Sequence, residues 1–495
     1  MDELAFAPAT RLAQLIRAGE LGCSELLQHF LDRIDHYNPA VNAVVVTGIP
    51  AALARAAEAD RALARGEIWG PLHGVPMTVK EAFDVAGLPT TWGLPEHRSN
   101  VPERNAVVVE RLLGAGAVVF GKTNVPAWIA DGQSFNPVYG VTNNPWDLEL
   151  TPGGSSGGSA AALAAGLTAL EVGSDIASSI RNPAHFCGVY GHKPTFGICP
   201  QRGHSVRGRL SPDDINVIGP LGRSALDLEV ALGIMAGPDE LEAGAYQLNL
   251  APSRHERMGD FRVGLIVDDE VAEVDDSVQG VLTALAEQLA GAGVTVDPGA
   301  RPALDMAEVQ RTYSILLQAA VSHRQTEAEM AENLASAAKM TAEGVAVPDG
   351  LMGRTIRHRD WLELHEAREQ MRWRWHEFFQ DHDLLLAPVR PLAAHPHMLD
   401  TPPPARRYLV NGHDRSHAEQ VFWGGYSGMA YLPATAAPAG FTTAGLPVGV
   451  QIIGPFGGDL TCLRFAHLLE REIGGFVPPP AFRAPPPPRD KRTDR

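Results

Sequence analysis

The chain has 495 residues, 45% of them hydrophobic and 20% charged, with a formal net charge of −17. That describes an ordinary globular composition with material for a large core. The acidic excess argues against nucleic acid or an anionic membrane surface as the main partner, because both require a basic face. Four cysteines without a C-x-x-C pair suit a reducing compartment better than a disulfide framework. The acidic start Met1-Asp2-Glu3-Leu4 lacks the order of a signal peptide. No apolar run approaches the ~20 residues of a membrane span, so a cytoplasmic protein without a membrane partner is expected.

Leu12, Leu15 and Ile16 open an amphipathic helical pattern, and Ser24 stands as the N-cap of a second helix running to about His36. Residues 42–46 read as a short buried strand, 51–65 as a helix, and 74–79 as a strand ending at Lys80. A helix over 105–114 leads into a strand over 117–120. Such alternation predicts an α/β sheet with helices on both faces, and length alone allows two or three domains. Residues 159–167 form a small-residue helix behind a glycine-serine loop, and Ser224-x-x-Asp227 is a capping box opening a helix to about Ala236. The run 262–267, 277–290, 294–296 has the pattern of a βαβ unit. From about 304 to 381 the chain reads as helical, with Trp361, Leu364, Ala367, Met371, Trp375 and Phe378 at the spacing of core or lid packing. A strand over 383–389, a proline-rich loop over 391–404, a buried strand over 446–453 and a helix near 460–470 follow. The tail 478–495 is rich in proline and charge, which predicts disorder.

Two serine-bearing loops carry the chemistry. One spans Pro152 to Ser159 and the other Gly173 to Pro183. A serine hydroxyl becomes a nucleophile only with a base. Gly116 to Thr123 fits G-x-x-x-x-G-K-[ST], but its four inner residues are apolar and β-prone, so they read as a strand and not as a phosphate loop. Gly153-Gly154-Ser155-Ser156-Gly157 satisfies G-x-S-x-G, yet Leu150-Thr151-Pro152 is a poor strand end for a nucleophile elbow. His185 and His192 read as local hydrogen-bonding residues. There is no H-E-x-x-H, and His395-Pro396-His397 reads as a solvated turn, so no metal is expected. A Ser-Ser-Lys arrangement remains. A lysine is a base only when neutral, which requires burial or nearby positive charge, and Lys80 at the end of an apolar strand meets that precondition.

Gly74-Val75-Pro76 through Lys80, Gly121-Lys122-Thr123-Asn124, Asn143-Asn144-Pro145-Trp146, the two serine loops, Gly191-His192-Lys193-Pro194-Thr195 and Gly445-Leu446-Pro447-x-Gly449-x-Gln451 together resemble the amidase signature family, over about residues 10–475. The resemblance implies a single large α/β/α domain around a twisted mixed β-sheet over 1–477, with a more variable, largely helical cover over about 240–430. It implies Ser179 as the acylating nucleophile, Ser155 as a proton relay in cis-peptide geometry, and Lys80 as the terminal base. The backbone N–H groups of Ile176, Ala177, Ser178 and Ser179 would form the oxyanion hole. The implied activity is hydrolysis of a small-molecule amide, aryl amides and carbamates included, by a monomer or homodimer without cofactor or metal. The same family contains the glutaminase component of a tRNA-dependent amidotransferase, which is the second expectation. One departure stands out: Ala177 and Ser178 occupy positions where the family usually has two glycines. The donors survive, but two side chains now crowd the acyl pocket, and alanine would be strained there if φ > 0 were required. Trp361, Trp373, Trp375 and Trp423 are available as apolar pocket walls.

Overall fold

In a computed structural model, which describes residues 2–485, eight strands build one mixed sheet. Their spatial order is Thr295–Asp297, Arg262–Leu265, Leu384–Pro388, Pro447–Ile453, Ala434–Phe441, Tyr190–Lys193, Val217–Gly222 and Glu171–Asp175. The first three run parallel and the later pairings are antiparallel. Helix Asp276–Gly291 connects the parallel strands Arg262–Leu265 and Thr295–Asp297, as the βαβ pattern predicts. Leu384–Pro388 and Pro447–Ile453 are buried at every position. Strands covered on both faces lose the polar alternation, which is why these segments read as continuous apolar runs. One cluster of buried apolar side chains extends from Ala9 to Leu469.

A second, three-stranded sheet places Val118–Thr123 between Val44–Thr47 and Pro76–Lys80. Its Pro76–Lys80 edge packs on Glu171–Asp175, the edge strand of the large sheet. Thr78 fastens this junction: its N–H donates to Thr168 Oγ1 at 3.0 Å and its hydroxyl to the Glu171 carboxylate. The junction decides where Lys80 points, because Thr78 and Lys80 share one face of their strand.

Four local expectations change. The helix over Cys23–Val41 begins before Ser24, whose hydroxyl donates to Asp60 Oδ2 at 2.6 Å instead of capping. Ser224 Oγ does cap Asp227 N at 3.1 Å, but the Asp227 carboxylate turns to the N–H groups of Ala9 and Thr10, so half of the box anchors helix Ala9–Arg17. His395 is not in a solvated turn; its ring packs on Phe186 and Tyr408, and its carbonyl accepts from Thr151 N at 3.0 Å. Residues 478–485 stay packed, since Pro480–Phe482 is a helical turn, Phe482 is buried, and its carbonyl accepts from Arg33 Nη2 at 2.9 Å. The remainder of the predicted disorder, 486–495, lies outside the described residues. Among the described residues no helix is long and apolar enough to cross a membrane.

Candidate active site

Lys80 ends a strand buried at every position, and its Nζ donates to Ser155 Oγ at 2.6 Å and to Ser174 Oγ at 3.0 Å. Ser155 lies just before helix Gly157–Ala164, and its peptide bond to Gly154 is cis. Residues 131–133 press on this loop: a Cβ at Gly154 would stand 2.5 Å from Asp131 O and 2.7 Å from Gln133 N. Only glycine allows that approach. The next residue joins the two serine loops, because Ser156 N donates to the Ser179 carbonyl at 3.1 Å and Ser156 Oγ to Ser174 O at 3.4 Å. Lys80 is fully buried and Ser155 is 1% exposed, whereas Ser179 is 7% exposed, so Ser179 is the most accessible of the three.

Asp175 holds the second loop. Its carboxylate accepts from the N–H groups of Ser178 (2.8 Å), Ile180 (3.0 Å) and Arg181 (3.3 Å), and from Arg181 Nε and Nη2 at 3.0 and 2.8 Å. Burial alone would raise this carboxyl, but the Arg181 charge and hydrogen bonds outweigh it and hold Asp175 at about 2. Arg181 Nη1 then reaches Ser427 Oγ and Gln451 Oε1, at 2.8 and 2.6 Å. Gln451 Nε2 donates to the carbonyls of Pro388 and Trp423, each at 3.0 Å. A glutamine 270 residues beyond Arg181 is thereby a strut for the serine loop. Ser178 N–H is committed to Asp175, while the N–H groups of Ile176, Ala177 and Ser179 have no hydrogen-bond partner among the described residues.

Three lysines are buried with lowered pKa, and contacts tell them apart. Burial brings Lys80 down to about 7, with Asp175 and Glu171 opposing and Arg324 assisting. Burial also lowers Lys193 to about 7 and Lys122 to about 8. Lys193 Nζ donates to the carbonyls of Pro194 and Leu432, and Lys122 Nζ to Pro89 O and Thr90 Oγ1. Of the three, Lys80 alone meets serine hydroxyls. Lys122 sits inside strand Val118–Thr123, which is why the phosphate-loop pattern is no loop. His185 and His192 are occupied elsewhere, by Leu392 O and Gly449 N in one case and by Thr435 Oγ1 and Asp459 in the other.

The Ala177-Ser178 step resolves at its second residue: Ser178, not Ala177, has the positive φ of +76°. A non-glycine residue there costs about 1–2 kcal/mol. Its side chain is fully buried, and its hydroxyl has no hydrogen-bond partner among the described residues. Room for it comes from Gly424, where a Cβ would stand 2.5 Å from Ser178 Cβ. Ser178→Gly should therefore raise stability by about 1 kcal/mol, and Gly424→Ala should lower it by about 1–3 kcal/mol. In a double-mutant cycle read by denaturant unfolding, the alanine penalty should shrink in the Ser178→Gly background; an equal penalty in both backgrounds would refute the contact.

The tryptophans are redistributed. Trp373 is 65% exposed, and Trp375 and Trp423 are core residues. Trp92 and Trp128 instead meet Arg324, whose charge helps to lower Lys80. Arg324 lies 5.6 Å over the Trp92 ring and donates to Trp128 O at 3.0 Å. Sequence reasoning also misses Ser174 and Asp175, although they lie inside the Gly173 to Pro183 motif; weighing only its later serines hides them.

A family model described as Amidase matches residues 25–463. An acylamidase of Rhodococcus erythropolis is 34% identical over 484 residues, which cover 95% of this chain and 96% of that protein. One of the subunits of glutamyl-tRNA(Gln) amidotransferase from Synechococcus sp. (strain CC9605) is 30% identical over 496 residues, covering 94% of this chain and 96% of that protein. In fold, the solved structure of a bacterial aryl acylamidase of the amidase signature enzymes family superimposes with a TM-score of 0.77 at 24% identity, covering 98% of this chain and 99% of that one. With the family model spanning most of its length and relatives matched nearly end to end, the chain belongs to the amidase signature family.

Proposed function

We propose that this chain hydrolyses the C–N bond of a small carboxylic amide through an acyl-enzyme on Ser179. The observation that carries the reading is the 2.6 Å contact from the buried Lys80 amine to Ser155 Oγ. Neutral Lys80 takes the Ser155 proton while Ser155 takes that of Ser179, and Ser179 Oγ attacks the carbonyl carbon. The developing oxyanion is met by the free N–H groups of Ile176, Ala177 and Ser179, three donors and not four, since Asp175 holds Ser178 N–H. The relay returns the proton to the departing amine. Water then adds to the acyl-enzyme by the same route and releases the carboxylate.

The pH dependence follows from Lys80. Below about 7 the amine carries its proton and cannot accept another, so kcat/KM for a neutral amide should rise with pH through about 7 and then level. Amine release measured across pH 5–9 (roughly two units either side of that value) checks this. A profile flat through that range would contradict Lys80 as base. The amidotransferase relative supports a second reading, in which glutamine is the amide and a partner protein receives the ammonia. Glutamine hydrolysis seen only with partner proteins present would favour it.

A further inference from the structure

Arg390 stands two residues beyond strand Leu384–Pro388, at its carboxyl end, and is 2% exposed. The other deeply buried arginines have acceptors: Arg181 has Asp175, Arg368 has Asp214, Arg406 has Asp131, and Arg33 and Arg223 have backbone carbonyls. Among the described residues Arg390 has no hydrogen bond and no ion pair, and its Nε is sealed from solvent without a partner. The nearby carboxylate, Asp131, is occupied by both terminal nitrogens of Arg406 and by Gln133 N. Two guanidiniums thus share one carboxylate, which leaves one positive charge uncompensated. The histidines around it do not change that balance: burial, with Arg390 adding to it, keeps His185, His395 and His417 neutral near pH 7.

The position of this charge gives it meaning. Arg390 Nη2 lies 3.2 Å from where a Cβ on Gly132 would stand, and Gly132 packs directly on Gly154, the residue before Ser155. The Tyr313 phenol, which feels the Arg390 charge, donates to Ile176 O at 3.1 Å on the loop that carries Ser179. Arg390 is therefore bracketed by the supports of both serine loops. A buried charge without a counter-ion is costly, and a guanidinium fork matches a carboxylate in bidentate fashion.

We infer that Arg390 anchors a carboxylate of the substrate, so that the preferred substrates are amides bearing a carboxylate a few bonds from the scissile C–N bond. The inference rests on Ser179, Ser155 and Lys80 being the reacting centre. Two pairs of isosteric substrates test it and tell the halves apart. Succinamate against 4-methylpentanamide places the charge on the acyl half; N-acetylglycine against N-isobutylacetamide places it on the amine half. For the wild type, kcat/KM should favour the carboxylate in one pair by at least about 30-fold, and that pair identifies the half. Arg390→Gln should collapse this ratio, and Arg390→Lys, which keeps the charge without the fork, should leave an intermediate one. Equal losses on charged and neutral substrates would mark a structural role and overturn the inference, as would a wild type without preference in either pair. That wild-type result stands even where a variant fails to fold. If the neutral amides are still hydrolysed, only the carboxylate subsite falls. If no amide is hydrolysed and a fluorophosphonate leaves Ser179 unlabelled, the catalytic reading falls and the inference with it.

Discussion

Lys80→Met should lower kcat/KM for a neutral amide by about 10³-fold, within the range that general acid–base groups supply. Methionine fills the same buried space without the amine, so Ser155 loses its 2.6 Å partner and Ser179 would lose the proposed route for its proton. The variant also separates Lys80 from Lys193, which burial likewise brings to about 7. Residual activity should lose the rise through pH 7, because Lys193 donates to carbonyls and not to a serine. Retention of both rate and pH profile would assign the base elsewhere. Circular dichroism and thermal unfolding close to those of the wild type would show that the loss is chemical.

Asp175→Asn should act on the fold and the chemistry together. The carboxylate accepts three backbone N–H groups and two from Arg181, with its side chain fully buried. An amide offers one acceptor and turns an NH₂ toward the remaining donors. Breaking a buried ion pair from one side costs about 3–5 kcal/mol, because the partner charge stays behind. The expected result is a stability loss of that size in denaturant unfolding, with kcat/KM down at least about 10²-fold as the proposed oxyanion donors shift. The linkage adds a sign. Asp175 is held at about 2, below the usual 3.8, so its contribution is complete above the unfolded value and is lost as pH falls from about 4 through 2. The wild type should therefore lose stability in acid over that range, and the variant should lose less of it.

The elements whose signal is local are legible in the sequence. The buried strands over Leu384–Pro388 and Pro447–Ile453, and the βαβ unit closed by Asp276–Gly291, follow from runs and periods that adjacent residues set. Ser24 shows the limit: a good capping residue is overridden when Asp60, 36 positions away, offers its hydroxyl a better partner. The proline-rich end misleads for the same reason, since Phe482 finds a buried place that composition cannot reveal. The resemblance points to Lys80 and Ser155 separately, but their hydrogen bond depends on one sheet edge packing on another, which no spacing encodes. Ser178 is the clearest case. Its identity departs visibly from the family pattern, yet the positive φ and the space opposite Gly424 that accommodate it belong to the tertiary structure.

In the proposed reaction Ser179 is the nucleophile, and Lys80, through Ser155, sets its reactivity. Reaction with a fluorophosphonate, followed by intact mass and peptide mapping across pH, tests it most directly. A single adduct is expected on Ser179, absent from Ser179→Ala, forming faster as pH rises through about 7 and slowly at every pH in Lys80→Met. An adduct on Ser155 or another residue, or labelling of Ser179 that ignores both pH and Lys80, would contradict it.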